Sequence, residues 1–321
     1  MGIPPQLYSA VNTSLLFGKI KLMRPSLIKY AWLSIGAAII TIGIKFAAYL
    51  ATGSVGLFSD ALEGIVNLVA AFVVLITLKI VEQPPDELHE YGHDKAEYFS
   101  SGIEGTLIVI AALSILFTSF NRLLNPQPLE QVGLGLMLAL VASGINLFVG
   151  QLLIRTGKKH DSITLEADGK HLMSDVWTSV GVVVGIAIAV FTGQEWIDPV
   201  IAIFVGLKIG WEGVAIFRRS TQGLMDAAID PQERTLIEDV LNIHCQNGIE
   251  WHALRTRQSG ARRFISVHIL VPGDWTVQQG HDLLENIETD IRSQINHCSV
   301  FTHVEPIEDP RAFKDQNLLR Q

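Results

Sequence analysis

Ser59-Asp-Ala-Leu-Glu-Gly-Ile-Val-Asn67 and Ala167-Asp-Gly-Lys-His-Leu-Met-Ser-Asp175 are two polar inserts in otherwise apolar stretches of the chain. In each, an Asp (Asp60, Asp168) is followed three residues on by a potential metal ligand, and four residues beyond that by another. Residues four apart on an α-helix stand one above the other, with Cβ atoms roughly 5–6 Å apart. Glu63 with Asn67, and His171 with Asp175, therefore each form a two-toothed oxygen and nitrogen clamp on a greasy helix. Ionisable groups inside a bilayer are costly and mark ion or proton paths. Two such clamps facing each other make a four-ligand cation site, and mixed imidazole and carboxylate donors suit a zinc-like ion. A lone Asn67 would read instead as a helix–helix hydrogen-bonding contact. Asp60 and Asp168, one turn nearer each helix N-terminus, read equally as caps or dipole partners.

The composition outside these inserts agrees with a membrane protein. Of 321 residues, 49% are hydrophobic and 17% charged, with mean hydropathy +0.34. Long apolar runs continue to about Ser220, beyond which charge and histidine density rise. The expected organisation is an N-terminal cytoplasmic segment (1–26), a transport domain (27–220), a soluble domain (221–306) and a loose tail (307–321). A net charge of -8 gives no nucleic-acid signal. The two cysteines, Cys245 and Cys298, both fall in the soluble part, which argues against a disulfide framework. The first apolar run is of full span length with no small-residue cleavage site after it, so no signal peptide is expected.

Six candidate spans follow, at 27–51, 55–80, 97–124, 129–154, 164–192 and 196–217, each near the roughly 20 apolar residues a bilayer needs. Lys19, Lys21, Arg24 and Lys29 precede the first; Lys79 and Lys95 flank the second loop. Arg155, Lys158 and Lys159 fill the fourth loop, and Arg218 and Arg219 follow the sixth span. The positive-inside rule places both termini in the cytoplasm. After Ser220 the order is α-β-β-α-β: a helix from Pro231 capped by Asp230, strands at 250–257 and 262–271 around Ser259-Gly260, a helix over 276–295, and a strand over 298–304. That is a small α+β domain.

Two further groups carry metal-ligating residues. Asp86, His89 and His93 sit in one tight loop and can seat a borderline divalent ion or stand simply as solvated histidines. His252, His268, His281, His303 and Glu305 spread over three strands and a helix. By spacing alone they either converge on metal or lie scattered. No nucleophile–base pair and no His-Glu-x-x-His motif supports an intramembrane enzyme.

Taken together, Gly-Ser-Val-Gly-Leu before the first clamp, Tyr-Gly-His-Asp-Lys-Ala-Glu at 91–97, Ala-Asp-x-x-His-x-x-x-Asp at 167–175 and Leu-Arg-Thr-Arg-Gln-Ser-Gly at 254–260 resemble the cation diffusion facilitator family. The likeness is greatest to its bacterial YiiP-type zinc and ferrous-iron efflux transporters and covers residues 27–306. The resemblance implies a homodimer in the bacterial cytoplasmic membrane, six transmembrane helices per protomer, a cytoplasmic ferredoxin-like domain, and export of a divalent metal against protons. Zn2+ or another divalent transition metal would be both substrate and a structural or regulatory ion. It implies a transport site of Glu63, Asn67, His171 and Asp175, a loop site of Asp86, His89 and His93, and a binuclear site of His252, His268, His281, His303 and Glu305. Lys95 and Asp226 match an interlocking charge pair. One departure is expected to matter: the family's pair on the second span is usually Asp/Asp or His/Asp, whereas here it is Glu63/Asn67. A non-transporting metal-sensing partner subunit is the alternative that this pair keeps open.

Overall fold

The computed structural model describes residues 25–52, 55–125, 134–192, 194 and 196–316. Among the described residues six long helices come first: α1 (Ile28–Thr52), α2 (Val55–Val81), α3 (Ala96–Leu124), α4 (Leu134–Lys159), α5 (Ile163–Thr192) and α6 (Ile197–Leu224). Among the described residues, four segments are long and apolar enough to cross a membrane: Ile28–Leu50, Ala96–Leu124, Leu140–Lys159 and Pro199–Leu224. α2 and α5 are the helices that carry the polar inserts. The protein is thus an all-α membrane bundle followed by an α+β domain.

The helices outrun the expected spans at their charged ends. α4 continues through Arg155–Lys159 and α6 through Arg218 to Leu224, where loops were expected. Lys and Arg mark where hydrocarbon ends, but they are good helix formers and do not stop the backbone. Glycine sets the closest packing. A Cβ at Gly105 would meet Phe217 N at 2.8 Å and Gly213 O at 3.0 Å, and one at Gly169 would meet Gly150 O at 2.7 Å. Small residues let membrane helices approach backbone to backbone, and they weld α3 to α6 and α4 to α5. α2 and α5, by contrast, touch over a thin strip among the described residues.

The C-terminal domain runs α7 (Pro231–His244), β1 (Glu250–Ser259), β2 (Arg262–Val271), α8 (Val277–Gln294) and β3 (Cys298–Pro306). Asp230 caps α7 through Gln232 N, and Thr276 with Gln279 forms a capping box on α8. The sheet order is β1-β2-β3, with β1 antiparallel and β3 parallel to β2. Ile237, Leu241, Ile265, Ile269, Ile287 and Ile291 are fully buried between helices and sheet. Gly260 turns the β1–β2 hairpin at φ +55. After β3, a short 3-10 turn (Ala312–Gln316) packs back on β1.

Candidate metal sites

The two inserts meet inside the bundle. Asn67 on α2 is buried, and its Nδ2 donates to Asp175 Oδ2 on α5 at 2.8 Å. Nε2 of the buried His171 donates to Asn67 Oδ1 at 2.7 Å. Asn67 therefore bridges the two members of the other clamp. Glu63 stands one turn away on α2; its side chain lies outside the described residues, as does that of Asp60.

Asn146 on α4 joins this group, and the sequence reading missed it. Its Nδ2 donates to Asp175 Oδ2 at 3.3 Å, and its Oδ1 is buried without a hydrogen-bond partner. The only signal was one Asn in an apolar helix. The result is a polar knot of three helices in which the potential ligands hydrogen-bond one another. Such a knot can hand its lone pairs to an ion by exchanging hydrogen bonds for metal bonds.

α5 is placed by α3. Glu97, fully buried, accepts from Ser162 Oγ at 2.6 Å and from Thr164 N at 3.2 Å, while Thr164 Oγ1 donates to Glu97 O at 3.2 Å. A carboxylate at a helix N-terminus answers its unpaired N–H groups and its dipole. The cap on α5 thus comes from a neighbouring helix, not from Asp168, which lies further along and hydrogen-bonds Ser34 of α1.

The loop residues converge. His89 Nδ1 lies 3.1 Å from Asp86 Oδ1 and His93 Nε2 3.3 Å from Asp86 Oδ2, with the two rings 4.6 Å apart. The backbone N–H of His89 bonds Asp86 Oδ1 at 2.7 Å and is the chief cause holding that carboxyl below its usual range.

In the soluble domain, strand register does the assembling. His252 pairs with His268, and His268 with His303, in one row across the sheet. Glu305 Oε2 lies 3.1 Å from His252 Nε2 and 3.2 Å from His268 Nδ1, and its Oε1 lies 3.5 Å from the more exposed His303 Nε2. His252, His268 and Glu305 have ligand atoms all within 4.8 Å of one another. His281 does not join them within this chain. Gly280 faces Val304 of β3, so the next residue along α8 is turned about 100° away and stands exposed.

The two halves of the chain are pinned together. Lys95 Nζ is 2.8 Å from Asp226 Oδ1, and Arg257 reaches the same oxygen at 3.1 Å. The Lys95 hydrogen bond leads the causes that hold the Asp226 carboxyl below its ordinary range. Gly260 N donates to Tyr98 OH at 3.0 Å, and Arg262 pairs with Asp94 at 3.0 Å. Arg263, nearly buried, bridges Asp161 at 3.0 Å and Glu233 at 2.9 Å. Burial works to deprotonate its guanidinium, but the Glu233 and Asp161 partners more than offset this and hold it above its ordinary value. The hairpin 258–263 thus touches the start of α3 and the elbow before α5.

Similarity to known proteins agrees with this architecture. Residues 31–225 match the family described as cation efflux transmembrane domain, and residues 229–307 match the cation efflux protein cytoplasmic domain. The uncharacterized transporter sll1263 of Synechocystis sp. is 49% identical over 294 residues, spanning 92% of this chain and 94% of its own. The cation-efflux pump FieF of Serratia proteamaculans is 30% identical over 282 residues, spanning 87% of this chain and 93% of the pump. FieF of Shewanella oneidensis is 27% identical over 275 residues, spanning 86% and 92%. Matched along both its membrane bundle and its soluble domain, the chain belongs to the cation efflux (cation diffusion facilitator) family of membrane transporters.

Proposed function

We propose that the protein is a divalent metal cation/proton antiporter that exports cytoplasmic Zn2+, or Fe2+, Co2+, Ni2+, Cd2+ or Mn2+, by alternating access. It would act as a homodimer in the bacterial inner membrane with both termini cytoplasmic. Residues 27–220 form the transport domain, and 221–306 the metal-binding and dimerisation domain. The observation that carries this reading is the knot of buried Asn67 and His171 with half-buried Asp175, bridged at 2.7 and 2.8 Å. With Glu63 it offers two carboxylates, an imidazole and an amide. The carboxylates balance a divalent charge, and imidazole binds metal only when it has lost its proton. Metal bound on one side of the membrane is thereby released by protons on the other.

The loop and the histidine row would act as regulatory ion sites, since an ion bound only by the assembled form stabilises it by mass action. The Lys95–Asp226 pair would carry that state to the bundle. The test is flux into vesicles across a panel of divalent ions under an imposed pH gradient. Asp175→Ala should abolish proton-coupled flux; flux equal to that of the unmodified protein removes the proposed site. A second reading, a metal-sensing subunit with impaired transport, is favoured by the neutral Asn67, which already donates to Asp175. It requires metal binding at the histidine row with no flux of any ion in the same vesicles.

A further inference from the structure

A second set of buried oxygens lies beside the knot. Glu104 on α3 is 0% exposed, and neither of its carboxylate oxygens has a hydrogen-bond partner. Asp168 on α5 is 2% exposed and close enough for the two carboxylate charges to repel. Its Oδ2 is also buried without a hydrogen bond, while the Ser34 hydroxyl of α1 binds the carboxylate. Three helices therefore bring three open carboxylate oxygens and a hydroxyl into one buried neighbourhood.

Two carboxylates buried in this way do not persist bare, because each unpaired ion costs several kcal/mol even after relaxation. A single proton answers only one of the three open oxygens, whereas a divalent cation can be met by all of them. All the donors are oxygen. Such a set suits hard divalent ions such as Mn2+ over the softer ions that imidazole attracts.

Its place gives it meaning. Asp168, His171 and Asp175 follow at i, i+3 and i+7 on one stripe of α5. Asp168 is displaced from His171 by about 4.5 Å along the axis. The displacement is toward the end of α5 that Arg263 and Glu97 tie to the soluble domain and α3.

We infer that Glu104, Asp168 and Ser34 form a second cation site within the bundle, taking one hard divalent ion between the carboxylates, a helical turn nearer the soluble domain than the Asn67–His171–Asp175 knot. An ion there stands one step from the knot.

The test is Mn2+ titration of the full-length protein in nanodiscs, with free Mn2+ read by electron paramagnetic resonance. Glu104→Gln and Asp168→Asn keep shape and remove charge. Each should lower binding by one Mn2+ per chain or weaken one Mn2+ at least tenfold. Asp175→Ala should leave that ion in place. Infrared difference spectra, Mn2+-bound minus metal-free, should contain carboxylate bands that vanish in Glu104→Gln. Unchanged Mn2+ stoichiometry and affinity in both amide variants would overturn the inference. So would carboxyl bands that respond to pH but not to Mn2+, which is the signature of a site for protons alone. Failure of both variants to fold would assign the carboxylates to the scaffold and equally overturn it. Because the readout is binding and not flux, this site and the transport reading fail separately.

Discussion

Replacing Asn67 by Asp tests whether the knot exchanges protons for metal. In the structure the Asn67 amide nitrogen sits 2.8 Å from Asp175 Oδ2. Asn67→Asp puts a carboxylate oxygen where that donor was, with the two carboxylate charge centres about 4 Å apart. At an effective dielectric of about 20 their repulsion is about 4 kcal/mol, or roughly a thousandfold preference for keeping one proton on the pair. Around pH 6 the metal-free variant should therefore carry close to one more proton than the parent protein. An incoming divalent ion replaces that proton. Metal binding should then release close to one additional proton per ion, and the apparent affinity should rise with pH by up to a further tenfold per unit. Calorimetric titration in two buffers of different ionisation enthalpy counts the released protons directly. Flux in the same variant should become more dependent on the imposed pH gradient. An identical proton count and pH slope in Asn67→Asp and the parent would show that position 67 does not face the bound ion.

Arg263→Met removes the bridge between Asp161 and Glu233. Breaking a fully buried pair costs about 3–5 kcal/mol, but Asp161 is 42% and Glu233 25% exposed and both can rehydrate. A loss of about 2 kcal/mol is therefore expected, measured as a lower denaturation midpoint, and Asp161→Asn in the same background should add little. At the loop, the depressed carboxyl of Asp86 remains charged as pH falls through the ordinary carboxylate range near 3.8, and its contribution to the turn disappears only below that range. Asp86→Asn should weaken Zn2+ binding at the loop at least tenfold near neutral pH while leaving the histidine row loaded, as counted by equilibrium dialysis with and without His252→Ala.

The i, i+4 clamps were legible because helical periodicity alone places Asn67 and His171 on inward faces. Span ends were less so, since Arg155 and Arg218 report the edge of the hydrocarbon and not the end of the helix. Asn146 escaped because one amide in an apolar helix carries no spacing to read. The histidine row was illegible for a different reason. A bulge between His252 and Arg255, with Ala253 at φ 50, adds one residue to β1. One extra residue reverses which side chains share a face, so alternation counted back from the hairpin misplaces His252. His281 is the member of the set that strand register does not bring in: it stands one position off the face that Gly280 presents to β3.

The glycine contacts have a mechanical consequence. α3 with α6, and α4 with α5, are seated main chain on main chain, so neither pair can slide without breaking its own fit. Among the described residues α2 meets α5 along a much lighter boundary, and deformation goes to light joints before tight ones. The knot straddles that joint, with Asn67 on one bank and His171 and Asp175 on the other. On the proposed reading, a cation gripped from both banks would rivet the seam, and its departure would leave the halves free to part.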